Sequence, residues 1–83
     1  MPLFMDVHNL DGGVAIGDVA NAHQADLKEQ AAYDVSYLRY WVDEGQGKIF
    51  CLVEAPSAEA ANTVHREAHG LVADAIYQVQ EGE

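Results

Sequence analysis

Val35-Ser36-Tyr37-Leu38-Arg39-Tyr40-Trp41-Val42-Asp43-Glu44-Gly45-Gln46-Gly47-Lys48-Ile49-Phe50-Cys51-Leu52-Val53-Glu54 has the pattern of a β-hairpin around which the other elements must pack. Residues 35–43 are rich in β-branched and aromatic side chains. They alternate as Tyr37, Arg39, Trp41 and Asp43 against Leu38, Tyr40 and Val42, the period of a strand. Glu44-Gly45-Gln46-Gly47 is a short loop of hairpin type. Residues 48–54 return as the partner strand, with Ile49, Cys51 and Val53 on one side and Phe50, Leu52 and Glu54 on the other. Both faces of this hairpin are substantially apolar, so both need cover.

Working outward toward the N-terminus, Asp18 is placed as the N-cap of a helix running to about Ala32. Ala20, His23, Leu27 and Ala31 share one stripe of it, so His23 is expected to face the core, with Asp26 on the shoulder of the same face. Before it, residues 3–8 alternate Leu3, Met5 and Val7 against Phe4, Asp6 and His8, a further strand, and Asn9-Leu10-Asp11-Gly12-Gly13 is a turn-forming cluster. Toward the C-terminus, Pro56 stops the hairpin and Ser57 caps a second helix, with Glu59 in its dipole-favoured first turn. That helix passes through Ala60, Ala61, Val64 and Ala68 to a stop at Gly70. Residues 75–79 form a last strand.

The order β-α-β-β-α-β is the ferredoxin-like α+β pattern. Right-handed crossovers give a four-stranded antiparallel sheet in the order 4-1-3-2, with both helices on one face. The other face would be bare, with Trp41, Tyr37, Phe50 and Leu52 to hide. Sheet-to-sheet packing in a homodimer, the dimeric α/β-barrel type, is therefore expected. No repeat, low-complexity tract or linker divides residues 1–83, which read as a single domain, and a domain of this size buries only about 60–65% of its unfolded surface.

Fourteen acidic residues against four basic ones give a formal charge of −10. Such a field repels phosphate backbones and anionic lipid headgroups, which argues against nucleic acid and membrane as partners, and it concentrates cations. Cys51 is the sole cysteine, so no intramolecular disulfide framework is expected, and Cys51 reads as a small core hydrophobe. With no basic n-region and no apolar run of spanning length near the N-terminus, a cytoplasmic location is expected. Ser36 and Ser57 have no nucleophile-elbow glycines around them, and Gly12, Gly13 and Gly17 do not space a phosphate loop.

The chemistry gathers on histidine. His65 and His69 are four apart, where helical side chains stack on one face about 5–6 Å from each other, a spacing that lets two imidazoles hold one divalent cation. Glu67 stands at neither glutamate position of the metalloprotease helices, so binding is favoured over hydrolysis. In the 4-1-3-2 topology His8 at the end of strand one, His23 in helix one and the His65/His69 pair converge on one edge of the sheet. Asp6, Asp26 and Asp43 are expected near that edge, and Glu54 at the opposite one. The pattern leaves open whether Asp6 and His8 face the helices or a partner subunit.

Met5-Asp6-Val7-His8, His23-Gln24-Ala25-Asp26-Leu27, Tyr37-Leu38-Arg39-Tyr40-Trp41-Val42, Cys51-Leu52-Val53-Glu54-Ala55-Pro56 and His65-Arg66-Glu67-Ala68-His69-Gly70 together resemble a bacterial family of small nickel-binding, nickel-responsive proteins. The resemblance spans nearly the whole chain. It implies a dimeric ferredoxin-like fold that binds Ni²⁺ in the cytoplasm, with His8, His23, His65 and His69 as ligands or site residues, joined by Asp6 and Asp26. Imidazole with carboxylate suits nickel, and Zn²⁺ and Cu²⁺ are expected to compete, since affinity generally follows the Irving–Williams order. With unperturbed imidazoles of pKa near 6.5, affinity should fall as pH drops from about 7.5 to 5.5.

Three readings of function follow. The first is a non-catalytic nickel buffer, carrier or sensor component. The alternative is a small dimeric α/β-barrel enzyme, an oxygenase or isomerase, working on an apolar small molecule in the space between sheet and helices. An interaction module without a small ligand is a third and plainer reading.

Overall fold

A computed structural model describes residues 1–82. The elements run β1 (Leu3–Asn9), α1 (Ile16–Glu29), a 3-10 turn (Gln30–Tyr33), β2 (Ser36–Asp43), β3 (Lys48–Glu54), α2 (Ala58–Ala68) and β4 (Ala75–Val79). The sheet order is β2-β3-β1-β4 with every neighbouring pair antiparallel. Read from the other edge this is 4-1-3-2, the ferredoxin-like arrangement expected from the pattern.

β1 and β3 pair without interruption, Phe4 opposite Val53, Asp6 opposite Cys51 and His8 opposite Ile49. All six are buried, packed with Val19 and Asp26 of α1 and Ala61, Val64 and His65 of α2. The alternate residues of the same strands, among them Met5, Val7, Phe50 and Leu52, are only half-buried on the other face. The face carrying Asp6 and His8 is therefore the one the helices cover.

The ends of α2 follow its local chemistry. The Ser57 hydroxyl accepts from the Ala60 N–H at 3.1 Å, one of the orphan donors of a helix start. At the other end Gly70, at φ +83°, donates its N–H back to the His65 carbonyl, a left-handed closure that favours glycine. A second glycine is fixed by crowding. Gly47 has φ +68°, and a Cβ there would lie 2.0 Å from the Leu10 carbonyl oxygen, where the β2–β3 loop closes on the β1–α1 loop.

Three local expectations are corrected. Helix α1 starts at Ile16 rather than after Asp18, and Ala15 at its N-cap makes no side-chain cap bond. The cap arrives from outside the helix, because the Glu44 carboxylate of the β2–β3 loop accepts the Ile16 N–H at 2.9 Å. The regular helix also ends at Glu29, and the 3-10 turn carries the chain on to Tyr33. The buried stripe of α1 is Val19 and Asp26 with His23 half-buried between them, while Leu27 and Ala31 are exposed. The stripe is rotated by about one residue because Asp26, unlike Leu27, finds buried partners.

The third correction is a register shift in β2 between Tyr37 and Arg39. Such a bulge sends successive side chains to the face opposite the one alternation predicts. Tyr37 turns inward with Tyr40 and Val42, while Trp41 stays outside with Arg39. Tyr37 is 4% exposed and is no part of the bare outer face. Asp43 is exposed and accepts the Gln46 N–H in the hairpin turn at 3.0 Å, so it is occupied away from the histidine cluster.

Candidate metal centre

The inner face of the sheet gathers a continuous chain of hydrogen bonds among groups that are almost all buried. Asp6, at the centre of β1, accepts from three sides: the Tyr37 hydroxyl at 2.8 Å and His65 Nε2 at 2.9 Å on Oδ2, and His8 Nε2 at 3.1 Å on Oδ1. His65, in the last turn of α2, reaches the other way through Nδ1 to Asp26 Oδ1 at 3.0 Å. His69 closes the end of α2 and brings Nε2 to the same Asp26 oxygen at 3.0 Å. Asp6, His8, Asp26 and His65 are each 3% exposed or less.

The partners fix where the protons are. A carboxylate only accepts, so His65, which faces one through each ring nitrogen, carries a hydrogen on both. Burial works against this charge, but the hydrogen bonds and charges of Asp26 and Asp6 outweigh it and raise the His65 pKa to about 9. Asp6 shows the reciprocal effect. Burial would raise it, yet the hydrogen bonds from His65 and His8, the charge on His65 and the Tyr37 hydroxyl hold it well below the ordinary carboxylate range. Burial and the nearby Asp6 charge push the Tyr37 hydroxyl and the Cys51 thiol up. Burial lowers His69, against the opposing pull of Asp26.

His8 and His69 then differ in what they can offer. The His69 Nδ1 accepts the Leu71 N–H at 3.1 Å, so both its nitrogens are engaged and ligation through Nε2 requires its proton to leave. His8 donates through Nε2 to Asp6, and its Nδ1 is buried with no partner at all. A carboxylate holding one imidazole nitrogen while the other presents a free lone pair is the usual support of a metal-binding histidine.

The residues present fit a divalent cation on three counts. The bare Nδ1 of His8 is a neutral donor of the required kind. The donor atoms group by themselves: Asp6, His8, Cys51 and His65 offer one atom each within 4.8 Å of one another, and Asp26, His65 and His69 form a second such set. Finally, two buried carboxylates share a single buried imidazolium, which leaves the cluster one positive charge short of neutral. A divalent ion taken up in exchange for one proton restores neutrality.

All four histidines predicted to converge do so. His8, His23, His65 and His69 line one cavity of about 20 Å³ together with Asp26, Tyr40 and Cys51. His23 sits at its wall with its ring centroid 4.8 Å from that of Tyr40, and belongs to neither of the two donor sets. Two participants were missed from the sequence. Tyr37 was hidden by the bulge, and Cys51 lies beside Asp6 only through the β1–β3 register, which no local signal announces.

Comparison with known proteins agrees with this picture. A family described as nickel responsive protein SCO4226-like matches residues 4–79. The crystal structure of SCO4226 from Streptomyces coelicolor A3(2) is similar with a TM-score of 0.89 at 41% sequence identity, covering 98% of this chain and 99% of that one. No match is found among curated proteins. With most of its length matched by the family and a 41% identical relative aligned over nearly the whole of both chains, this chain belongs to the SCO4226-like family of nickel responsive proteins.

Proposed function

We propose that the protein is a non-catalytic nickel-binding protein of the cytoplasm, a buffer, carrier or sensor component, which takes up Ni²⁺ at the buried cluster of Asp6, His8, Asp26, His65 and His69 with His23 at its wall. The observation that carries this is the bare, buried Nδ1 of His8, held in its donor tautomer by Asp6. When bound, the ion supplies the positive charge that the two carboxylates lack. The protein's own part is to orient His8 through Asp6, to give up one proton, and to exclude bulk water.

At the histidine cluster itself, size favours an ion over the organic substrate of the enzymatic alternative. The cavity among the histidines is about 20 Å³, room for one water or one ion, whereas pockets for organic ligands run to about 300–1,000 Å³. Zn²⁺ and Cu²⁺ remain competitors, because a nitrogen and oxygen donor set does not exclude them. The functional unit we propose is a homodimer joined through the outer sheet face, where Leu38, Trp41 and Tyr77 are 44%, 47% and 58% exposed in the single chain. No helix of the described residues is long and apolar enough to cross a membrane, and the charge of −10 disfavours nucleic acid as a partner.

The test is metal content. Protein made without a histidine tag, incubated with nickel and desalted, should retain a stoichiometric amount of the ion. Loss of all nickel on desalting from native protein, with no competing metal retained, would remove the proposal.

A further inference from the structure

One atom in the same space is unused by a nitrogen and oxygen site, and it is the sulfur of Cys51. Cys51 stands on the central strand β3, opposite Asp6 of β1 and Tyr40 of β2, on the helix-covered face and 7% exposed. A cysteine serving only as a core hydrophobe packs among apolar groups. This one also lies within 4.8 Å of donor atoms of Asp6, His8 and His65. Independently, His8 is 2% exposed with its Nδ1 unpartnered, and His8 and Cys51 line the same small cavity.

His65 divides the donors into two half-sites. Its Nδ1 faces Asp26 and His69, a set with nitrogen and oxygen alone, and its Nε2 faces Asp6, beside His8 and Cys51. We propose that Cys51 is a nickel ligand, giving a thiolate sulfur to the ion on the inner side of His65 alongside His8 and Asp6. This rests on the nickel-binding reading above. The Cys51 S–H bond breaks heterolytically, its proton leaves to solvent, and a sulfur–metal bond forms with no change of oxidation state. The consequence is selectivity: one soft donor among imidazoles and a carboxylate favours nickel over the hard ions Mg²⁺ and Ca²⁺, which prefer oxygen alone.

The experiment is a titration of the untagged, reduced native chain with nickel chloride, followed together by calorimetry and near-ultraviolet absorbance, with X-ray absorption at the nickel edge on the saturated sample. Expected are a thiolate-to-nickel charge-transfer band that grows in step with calorimetric saturation and a sulfur atom bonded to nickel. Cys51→Ser, with native circular dichroism, should lose the band and bind nickel at least about tenfold more weakly. Calorimetric binding by the native chain without the band and without sulfur would overturn Cys51 as a ligand and leave the nitrogen and oxygen site standing. A native chain that binds no nickel would overturn both. Should Cys51→Ser fail to fold, Cys51→Ala takes its place, and the spectra of the native chain decide by themselves.

Discussion

On the helix-covered face of the sheet the strands bury Asp6, His8, Cys51 and Tyr37, while on the opposite face the alternating residues Met5, Val7, Phe50 and Leu52 are half-covered and Trp41 and Tyr77 are exposed. The same strands thus place ionisable groups where apolar ones would stabilise most, and apolar groups where water reaches them. Burying a carboxylate or an imidazolium costs free energy unless each is paired. The pairing inside is nearly complete, and His8 Nδ1, among the described residues the one buried side-chain nitrogen or oxygen without a partner, marks where a ligand would go. Outside, the apolar surface calls for a second sheet. In the function proposed above, one face serves a small cation and the other a copy of the chain.

The largest test of this contrast is to remove a carboxylate from the inside. Asp6→Ala leaves the His65 imidazolium, His8 and the Tyr37 hydroxyl without a shared acceptor, and breaking a buried pair in this way costs about 3–5 kcal/mol. In a chain of 83 residues that is a large part of the whole stability. Urea denaturation of the metal-free variant should show it unfolded or close to unfolding. Met5→Ala, one residue away on the outer face, should cost far less to the isolated fold.

The second test uses pH. Since His65 is raised from 6.5 to about 9, the stability it contributes is complete below pH 6.5 and is lost as the pH climbs through 9. Asp6 is lowered from 3.8, so its contribution is present above that value and is lost as the pH falls below it. Metal-free protein should therefore melt lower at pH 9.5 than at pH 6, by an amount corresponding to about 3 kcal/mol for such a shift. His65→Gln should flatten the alkaline limb, and an unchanged limb would contradict the charged bridge. The same shift moves the window for metal uptake upward: nickel affinity should go on rising between pH 7.5 and 9, beyond the range set by an ordinary imidazole.

A third test addresses the outer face. Trp41→Asp should convert a native dimer to monomer in light scattering while leaving the inner hydrogen bonds intact. A native chain that is already a stable monomer at micromolar concentration would break this half of the comparison.

Most of the fold was legible because its signals are local. Ser57, Gly70 and the alternation of residues 48–54 each act within a few residues, and they place α2 and β3 where the structure has them. The start of α1 was not legible, since its cap is Glu44 from a distant loop. The bulge was not either, because alternation runs unbroken through the sequence at Leu38, and with it went the role of Tyr37. In the site, the convergence of four histidines followed from topology. The identity of Asp6 as its hub did not, because that depends on which face of β1 the helices cover. Cys51 has the local pattern of a packing residue, and only its register with Asp6 sets it among donors.

Nickel binding by the inner-face cluster can be measured by calorimetry on variants. Untagged native protein, His65→Ala, His69→Ala and the double variant would be titrated with Ni²⁺ at pH 7.5 in two buffers of different ionisation enthalpy. Expected are saturable binding with net proton release by the native chain, a loss of about tenfold or more (1.4 kcal/mol) for each single variant, and no measurable site in the double variant. Equal nickel affinity for the native chain and the double variant would contradict it.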